Sequence, residues 1–263
     1  MARLRELTRR HGRERECAVM LRFILLGAAA LASVEPAAAQ LWMPVRAPER
    51  TLPQSLARPP EPAAVRREKS GTAFFVDDSG HMLTARHAAD DCARIIVAKE
   101  GRFVPARVVA LSPNFDLALI KVPKSLGLAA VFPRNTTATV NDMMFAAAYD
   151  TLPGMTTRGG VVANATVASS RGGSEAGYLA LDSTVTFGAS GSPVLNSRGL
   201  VEGVISRRTT ISRVLTVGAG ETKAFLSGNG IRFEEDDRPQ IAGGGSRANR
   251  AASISARVTC LQS

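Results

Sequence analysis

From Ser70 onward the chain is built of short apolar runs broken by turn residues. Ala73-Phe74-Phe75-Val76 leads into Asp77-Asp78-Ser79-Gly80, and Met82-Leu83-Thr84 follows, a pattern that predicts a first β-hairpin. Runs at 95–97, 108–111, 117–120, 161–167, 178–181, 200–205 and 214–217 continue the series without helical alternation between them. Strands at this spacing predict an all-β barrel or sandwich. Only Thr222-Lys223-Ala224-Phe225-Leu226 reads as helix, stopped by Gly228-Asn229-Gly230. Two flanks break the pattern. Six prolines between residues 40 and 69 predict an extended arm. The Gly/Arg/Ser-rich stretch 236–263 predicts a mobile tail, ordered only near Cys260.

Residues 1–39 have the marks of an export signal: seven arginines, the apolar run 23–31, and Ala37-Ala38-Ala39 before Gln40 as the first mature residue. Met20, directly before Leu21-Arg22-Phe23, fits a true start better than Met1. The expected organisation is therefore a signal at 1–39, an arm at 40–69, a folded domain at 70–235 and a tail at 236–263.

Composition narrows the picture further. The 263 residues suffice for one pair of barrels, and 45% hydrophobic with 21% charged residues excludes wholesale disorder. Aromatics at 5% mean an aliphatic core, and no apolar run reaches the ~20 residues of a spanning helix. The net charge of +10 falls to +7 once the seven Arg and four Glu of 1–39 leave. The remaining basic residues are scattered without aromatic interleaving, so no nucleic-acid partner is expected. Three Cys and three His leave little for a metal cluster; neither metal nor cofactor is expected. Cys17 departs with the signal, and in an oxidising compartment Cys92 and Cys260 either pair as one disulfide or remain as two buried thiols.

Three motifs carry chemistry. His87 lies in Leu83-Thr84-Ala85-Arg86-His87-Ala88, Asp116 in Asn114-Phe115-Asp116-Leu117-Ala118-Leu119, and Ser190 in Phe187-Gly188-Ala189-Ser190-Gly191-Ser192-Pro193. A serine hydroxyl needs a base in reach, imidazole suits that task near neutrality, and a carboxylate behind the ring fixes its tautomer. Glycine at 188 lets the Gly188 and Ser190 amides converge on a developing oxyanion. Each motif has a plainer reading by itself: a structural histidine, a strand-entry carboxylate, a turn. In the order His–Asp–Ser they form a constellation.

These segments resemble the chymotrypsin-like (trypsin-fold) serine proteases, in the bacterial branch of the HtrA/Deg-type enzymes and the glutamyl endopeptidases. Ser70-Gly71-Thr72-Ala73-Phe74-Phe75-Val76 with Gly80-His81-Met82-Leu83-Thr84-Ala85 resembles that branch's first hairpin, and the resemblance runs from Ser70 to Phe233. It implies two six-stranded antiparallel β-barrels with a short C-terminal helix. It implies His87 as general base, Asp116 as orienting carboxylate, Ser190 as nucleophile, and the Gly188 and Ser190 amides as oxyanion hole. Thr184, Ser206 and Arg208 fall on the substrate-binding walls, and the implied partner is a protein or peptide substrate. About 30 residues follow Phe233, too few for a PDZ module.

The chain also departs from the family. Ala189 replaces the aspartate that pairs with a freed N-terminus in the digestive enzymes, Thr184 removes a tryptic carboxylate, and Ile205 removes the glutamyl-endopeptidase histidine. Arg207-Arg208 stands where an aromatic residue and then glycine are usual; the two guanidinium groups either narrow the pocket, favour acidic side chains, or point to solvent. An exported serine endopeptidase is the leading expectation. A serine esterase, or a non-catalytic envelope binding protein on the same fold, remains open.

Overall fold

Gly80 makes the first hairpin possible: its φ of +93° suits a residue without Cβ, and an added Cβ would sit 2.8 Å from the Val122 carbonyl oxygen. The computed structural model describes residues 67–136, 138–157, 164–170, 176–241 and 245–262. The export signal, the cut before Gln40 and nearly all of the proline-rich arm lie outside the described residues. Around Gly80, β1 (Glu68–Phe75) pairs antiparallel with β2 (His81–Thr84), and α1 (Arg86–Ala89) follows directly. Then come β3 (Arg94–Lys99), β4 (Arg102–Leu111) and β5 (Ala118–Lys121), the last returning to pair with β2.

The second half begins with β6 (Val131–Phe132) and β7 (Met143–Met144), then a 3₁₀ turn (Tyr149–Thr151) and α2 (Leu152–Thr156). The strands β8 (Ala165–Ser170), β9 (Tyr178–Ser183), β10 (Pro193–Leu195), β11 (Val201–Thr210) and β12 (Arg213–Gly218) complete a six-stranded sheet in the order β10-β11-β12-β9-β8-β7. Its two ends meet at a single bridge, where Phe145 and Leu195 exchange both backbone hydrogen bonds at 2.8 Å. The expected helix is α3 (Ala219–Gly228), and β13 (Glu234–Glu235) then pairs parallel with β6.

The C-terminal stretch corrects the expectation of a tail. It forms α4 (Arg247–Ile254) and β14 (Ser255–Leu261), and β14 inserts between β1 and β3 to close the first barrel in the order β1-β14-β3-β4-β5-β2. The folded unit therefore takes in the last strand of the chain as well as Glu68 and Lys69, which were expected in the arm. The Ser246 hydroxyl caps α4 by accepting from the Asn249 amide. At the other end, the buried Lys99 ammonium donates to the carbonyls of Ala252 and Ser255 at 2.5 and 2.9 Å. Arg247 and Arg250 are buried too, donating to the carbonyls of Met143 and Ala129. Burial pulls both guanidinium groups below their ordinary value.

The period of two along each strand explains why the strands read as continuous apolar runs. Ala73 and Phe75 point into the first barrel with Met82, Val97, Ala118, Ile120 and Val258. Phe74, between them, points the other way into a layer shared with Leu83, Leu119, Phe145, Leu195 and Val204. Where both faces of a strand are buried, apolar residues dominate each, and polar side chains there, such as Thr72 and Thr84, are hydrogen-bonded to backbone carbonyls. The second sheet is lined by smaller residues, among them Ala146, Ala148, Ala165, Val167, Leu181 and Val194.

Candidate active site

The turn after β2 sets the imidazole in place. Ala85 precedes α1 in an extended conformation and offers no capping side chain. The missing cap comes from another strand entry: Asp116 Oδ1 accepts the His87 backbone N–H at 3.0 Å. The other carboxylate oxygen accepts twice, from His87 Nδ1 at 2.8 Å and from the Ser206 hydroxyl at 2.7 Å. One carboxylate thus fixes both the helix carrying the ring and the ring itself.

The Asp116 carboxylate is 18% exposed. Burial by itself pushes its pKa up, but the hydrogen bonds from the His87 ring, the Ser206 hydroxyl and the His87 amide outweigh it, and the group is held below the usual carboxylate range. An ionised carboxylate can only accept, so Nδ1 carries a proton, which in the neutral ring leaves the lone pair on Nε2. The His87 side chain is 52% exposed.

The segment carrying Ser190 is seated on β1 and β2. Thr72 N–H donates to the Ser190 carbonyl at 2.9 Å, and the Thr72 hydroxyl donates to the Gly188 carbonyl at 2.8 Å while accepting from the Tyr149 amide at 2.9 Å. A Cβ placed on Gly71 would lie 2.9 Å from the Ser190 carbonyl oxygen and 3.1 Å from the Ala88 methyl, so the Ser190 backbone abuts the helix that carries His87. On the far side, the Gly191 amide donates to the Ile205 carbonyl at 2.7 Å, one residue before Ser206. The amides of Ala189, Gly191 and Ser192 donate to the carbonyls of Thr186, Ile205 and Ala189. Among the described residues the amides of Gly188 and Ser190 have no acceptor, and the Ser190 hydroxyl has no hydrogen-bond partner.

The structure therefore joins His87, Asp116 and Ser206 by direct hydrogen bonds and sets the Ser190 backbone beside them, with no hydrogen bond between the His87 ring and the Ser190 hydroxyl. Thr184 is exposed at the start of the same segment. Arg208 does not point away to solvent: its guanidinium Nη2 donates to the Val185 carbonyl, and its Cζ lies 5.5 Å from the Phe187 ring centroid. Sequence reasoning gave no part to Thr72 or to Tyr178, whose hydroxyl accepts the Asp116 amide at 3.4 Å and whose ring leans on Phe115. Cys92 and Cys260 are joined as a disulfide, with their Cα atoms 5.3 Å apart. Among the described residues no three His, Cys, Asp or Glu side chains are grouped to hold a metal ion, and no helix is long and apolar enough to cross a membrane.

The two glycines beside Ser190 differ in consequence. Both take positive φ, +85° at Gly188 and +83° at Gly191. A Cβ on Gly188 meets only the Ala148 methyl at 3.7 Å, so Gly188→Ala should cost about 1–2 kcal/mol of backbone strain. A Cβ on Gly191 lands 2.2 Å from the Thr72 carbonyl oxygen, 2.4 Å from Thr84 Oγ1 and 2.7 Å from the Ala85 nitrogen, none of which can retreat without moving β1 or β2. Overpacking adds about 1–3 kcal/mol to that strain, so Gly191→Ala should lower stability by roughly 2–5 kcal/mol. Denaturant midpoints of the two variants check the ranking; equal losses would mean the segment is not held against the first hairpin.

Comparison with known proteins places this architecture. A model of the trypsin-like peptidase domain matches residues 71–204. An uncharacterized protein of Sinorhizobium fredii, y4bJ, is 27% identical over 219 residues, covering 78% of this chain and 34% of that protein. The serine endoprotease DegS of Salmonella typhimurium is 30% identical over 138 residues, covering 51% of this chain and 38% of its own length. The chain thus spans a third to two fifths of these relatives. The crystal structure of a serine endoprotease from Yersinia pestis superposes with a TM-score of 0.51 at 21% identity, over 60% of this chain and 57% of that one, and shows the shared fold. With the peptidase-domain match extending over half its length and relatives of the HtrA type around it, this chain belongs to the trypsin-like serine peptidase family.

Proposed function

We propose that the protein is an exported serine endopeptidase that hydrolyses peptide bonds through an acyl-enzyme, with His87, Asp116 and Ser190 as its triad. The observation that carries this reading is the double hold of Asp116 on His87, through the amide and through Nδ1, next to a segment whose Gly188 and Ser190 amides are open. His87 Nε2 takes the Ser190 proton as Oγ attacks the scissile carbonyl. The two amides then hold the oxyanion, and His87 returns the proton to the leaving amine. Water repeats the sequence to release the acyl group. A direct ring–hydroxyl bond is not required before substrate arrives, because catalytic hydrogen bonds are often long or misaligned in the resting enzyme and tighten in the Michaelis complex. The reading takes residues 1–39 as an export signal and 40–67 as an arm, with the peptidase unit running from β1 to β14. A disulfide fits an oxidising compartment, periplasmic or secreted.

Fluorophosphonate labelling tests the assignment directly: the folded protein should label, and Ser190→Ala should not. A folded protein that never labels overturns it in favour of a binding protein on the same fold. The pH profile gives a second test. Protonating His87 removes the lone pair that accepts the serine proton, whereas Asp116, held low by three donors, stays charged. The value of kcat/KM should therefore fall on acidification as one proton is taken up, and a profile that stays flat while the fold persists contradicts the role of His87.

A further inference from the structure

We infer that Arg208 selects a carboxylate side chain, Asp or Glu, at the substrate residue whose carbonyl is attacked. The inference rests on the proposed peptidase reading and concerns a slot beside Ser190. One wall of the slot is the segment 184–188, and the other is the outer half of β11. The walls are joined at one end by the Gly191 amide on the Ile205 carbonyl. Beyond Ile205, β11 continues to Thr210 with β12 as its partner, while β10 stops pairing at Val204. The edge left unpaired faces the 184–188 segment across a gap that one arginine side chain spans, because Arg208 on β11 reaches the Val185 carbonyl.

Two contacts hold that guanidinium in the slot: the Val185 carbonyl takes one hydrogen of Nη2, and the Phe187 ring lies 5.5 Å below Cζ. Phe187 is 95% exposed, so this ring and this cation form much of the rim. Nε and Nη1 donate to nothing among the described residues. A planar fork with one corner anchored and its other hydrogens open matches a carboxylate without further ordering.

The charges of the walls point the same way. Across residues 182–190 and 206–213 the only carboxylate is Asp182. Arg213 Nε already binds it at 2.9 Å and keeps it from neutralising Arg208. A lysine or arginine side chain entering the slot meets like charge, and a large apolar one must displace Arg208 from both of its contacts. An aspartate or glutamate needs neither. Thr184 adds no charge of its own.

The test uses peptides identical except for Glu, Gln, Leu or Lys at the residue before the cut. The Glu peptide should exceed its Gln isostere by about tenfold in kcat/KM, the size expected of a hydrogen-bonded charge that is partly open to solvent, with Lys poorest. Arg208→Gln should bring the Glu:Gln ratio to about one. Arg208→Lys keeps the charge without the fork and should leave an intermediate ratio. The same peptides bound to Ser190→Ala, read by fluorescence anisotropy, should show the same preference and the same loss with Arg208→Gln. That assay needs no turnover: failure to label Ser190 with fluorophosphonate defeats the peptidase reading, whereas equal binding of Glu and Gln peptides defeats the selectivity. A Glu preference that survives Arg208→Gln also overturns the inference.

Discussion

Replacing Asp116 with Asn should lower kcat about ten-thousandfold, the loss met when a triad carboxylate is made an amide. Three donors converge on Asp116: the His87 amide on Oδ1, and the His87 ring and Ser206 hydroxyl on Oδ2. Asparagine keeps a single acceptor oxygen and can face them in two ways. With its NH2 at the Oδ1 position, that group opposes the His87 backbone N–H, and both donors are left unpaired at a cost of about 1–3 kcal/mol for a buried group. With its NH2 at the Oδ2 position, the backbone bond survives, the Ser206 hydroxyl turns to accept, and the ring moves its proton from Nδ1 to Nε2. The second arrangement loses no hydrogen bond and should prevail. It leaves the proton on the nitrogen that must be bare to act as base.

The measurement is kcat with a ¹⁵N spectrum of the His87 ring, which should report the switched tautomer. An unchanged tautomer with unchanged kcat would remove Asp116 from the mechanism. Stability carries an independent mark of the same substitution. Because the folded-state pKa of Asp116 is depressed, its contribution is full above the ordinary carboxylate range and is lost as pH falls through the depressed value. The Asn variant has no such proton to take up, so its stability should fall less steeply on acidification.

How much of this site the chain betrays depends on the kind of information each part uses. His87, Asp116 and Ser190 stand in short strings whose order is itself a signature, and strands such as β1 and β5 around them are legible because burial on both faces makes their inner stretches apolar. Arg208 shows the opposite case. Its identity was plain, but whether its guanidinium turned outward or inward depended on a carbonyl and a ring more than twenty residues earlier, at Val185 and Phe187. No spacing rule encodes such a rotamer. The Thr72 hydroxyl, which ties Gly188 to Tyr149, is silent for the same reason.

The closing strand failed differently. Ser255-Ala256-Arg257-Val258-Thr259-Cys260-Leu261 does alternate, with Ala256, Val258 and Cys260 buried. The signal was present, and the glycine-rich stretch before it masked the change of character. Arg247 and Arg250 deepened the misreading, since two arginines eight and five residues short of a strand read as solvated, whereas here both lie buried with carbonyl acceptors. That β14 should pair with β1 is long-range information: Glu68 meets Leu261 at the opposite end of the chain.

Removing the bridge across that join, as Cys92→Ala with Cys260→Ala, should lower stability by about 2–5 kcal/mol, roughly 5–15 °C in Tm for a domain of this size. The half-cystines are 168 residues apart, and the entropy a cross-link removes from the unfolded chain grows with the logarithm of that span, which puts the expectation at the upper end of the range. The folded state loses less. Without the bridge, β14 still pairs from Ser255 to Leu261 with β1 and from Arg257 to Leu261 with β3, so the barrel stays shut in native conditions. Activity at 25 °C should therefore be nearly retained, while the thermal transition moves down. Reductant should reproduce the shift, with thiolate attack entering at the partly exposed Cys92 sulfur because Cys260 is fully buried. If the double variant kept its Tm but lost labelling at Ser190, the bridge would be acting on the folded state instead: Cys92 lies three residues beyond the end of α1, and the tether would then be holding the His87 helix in position rather than restraining the unfolded chain.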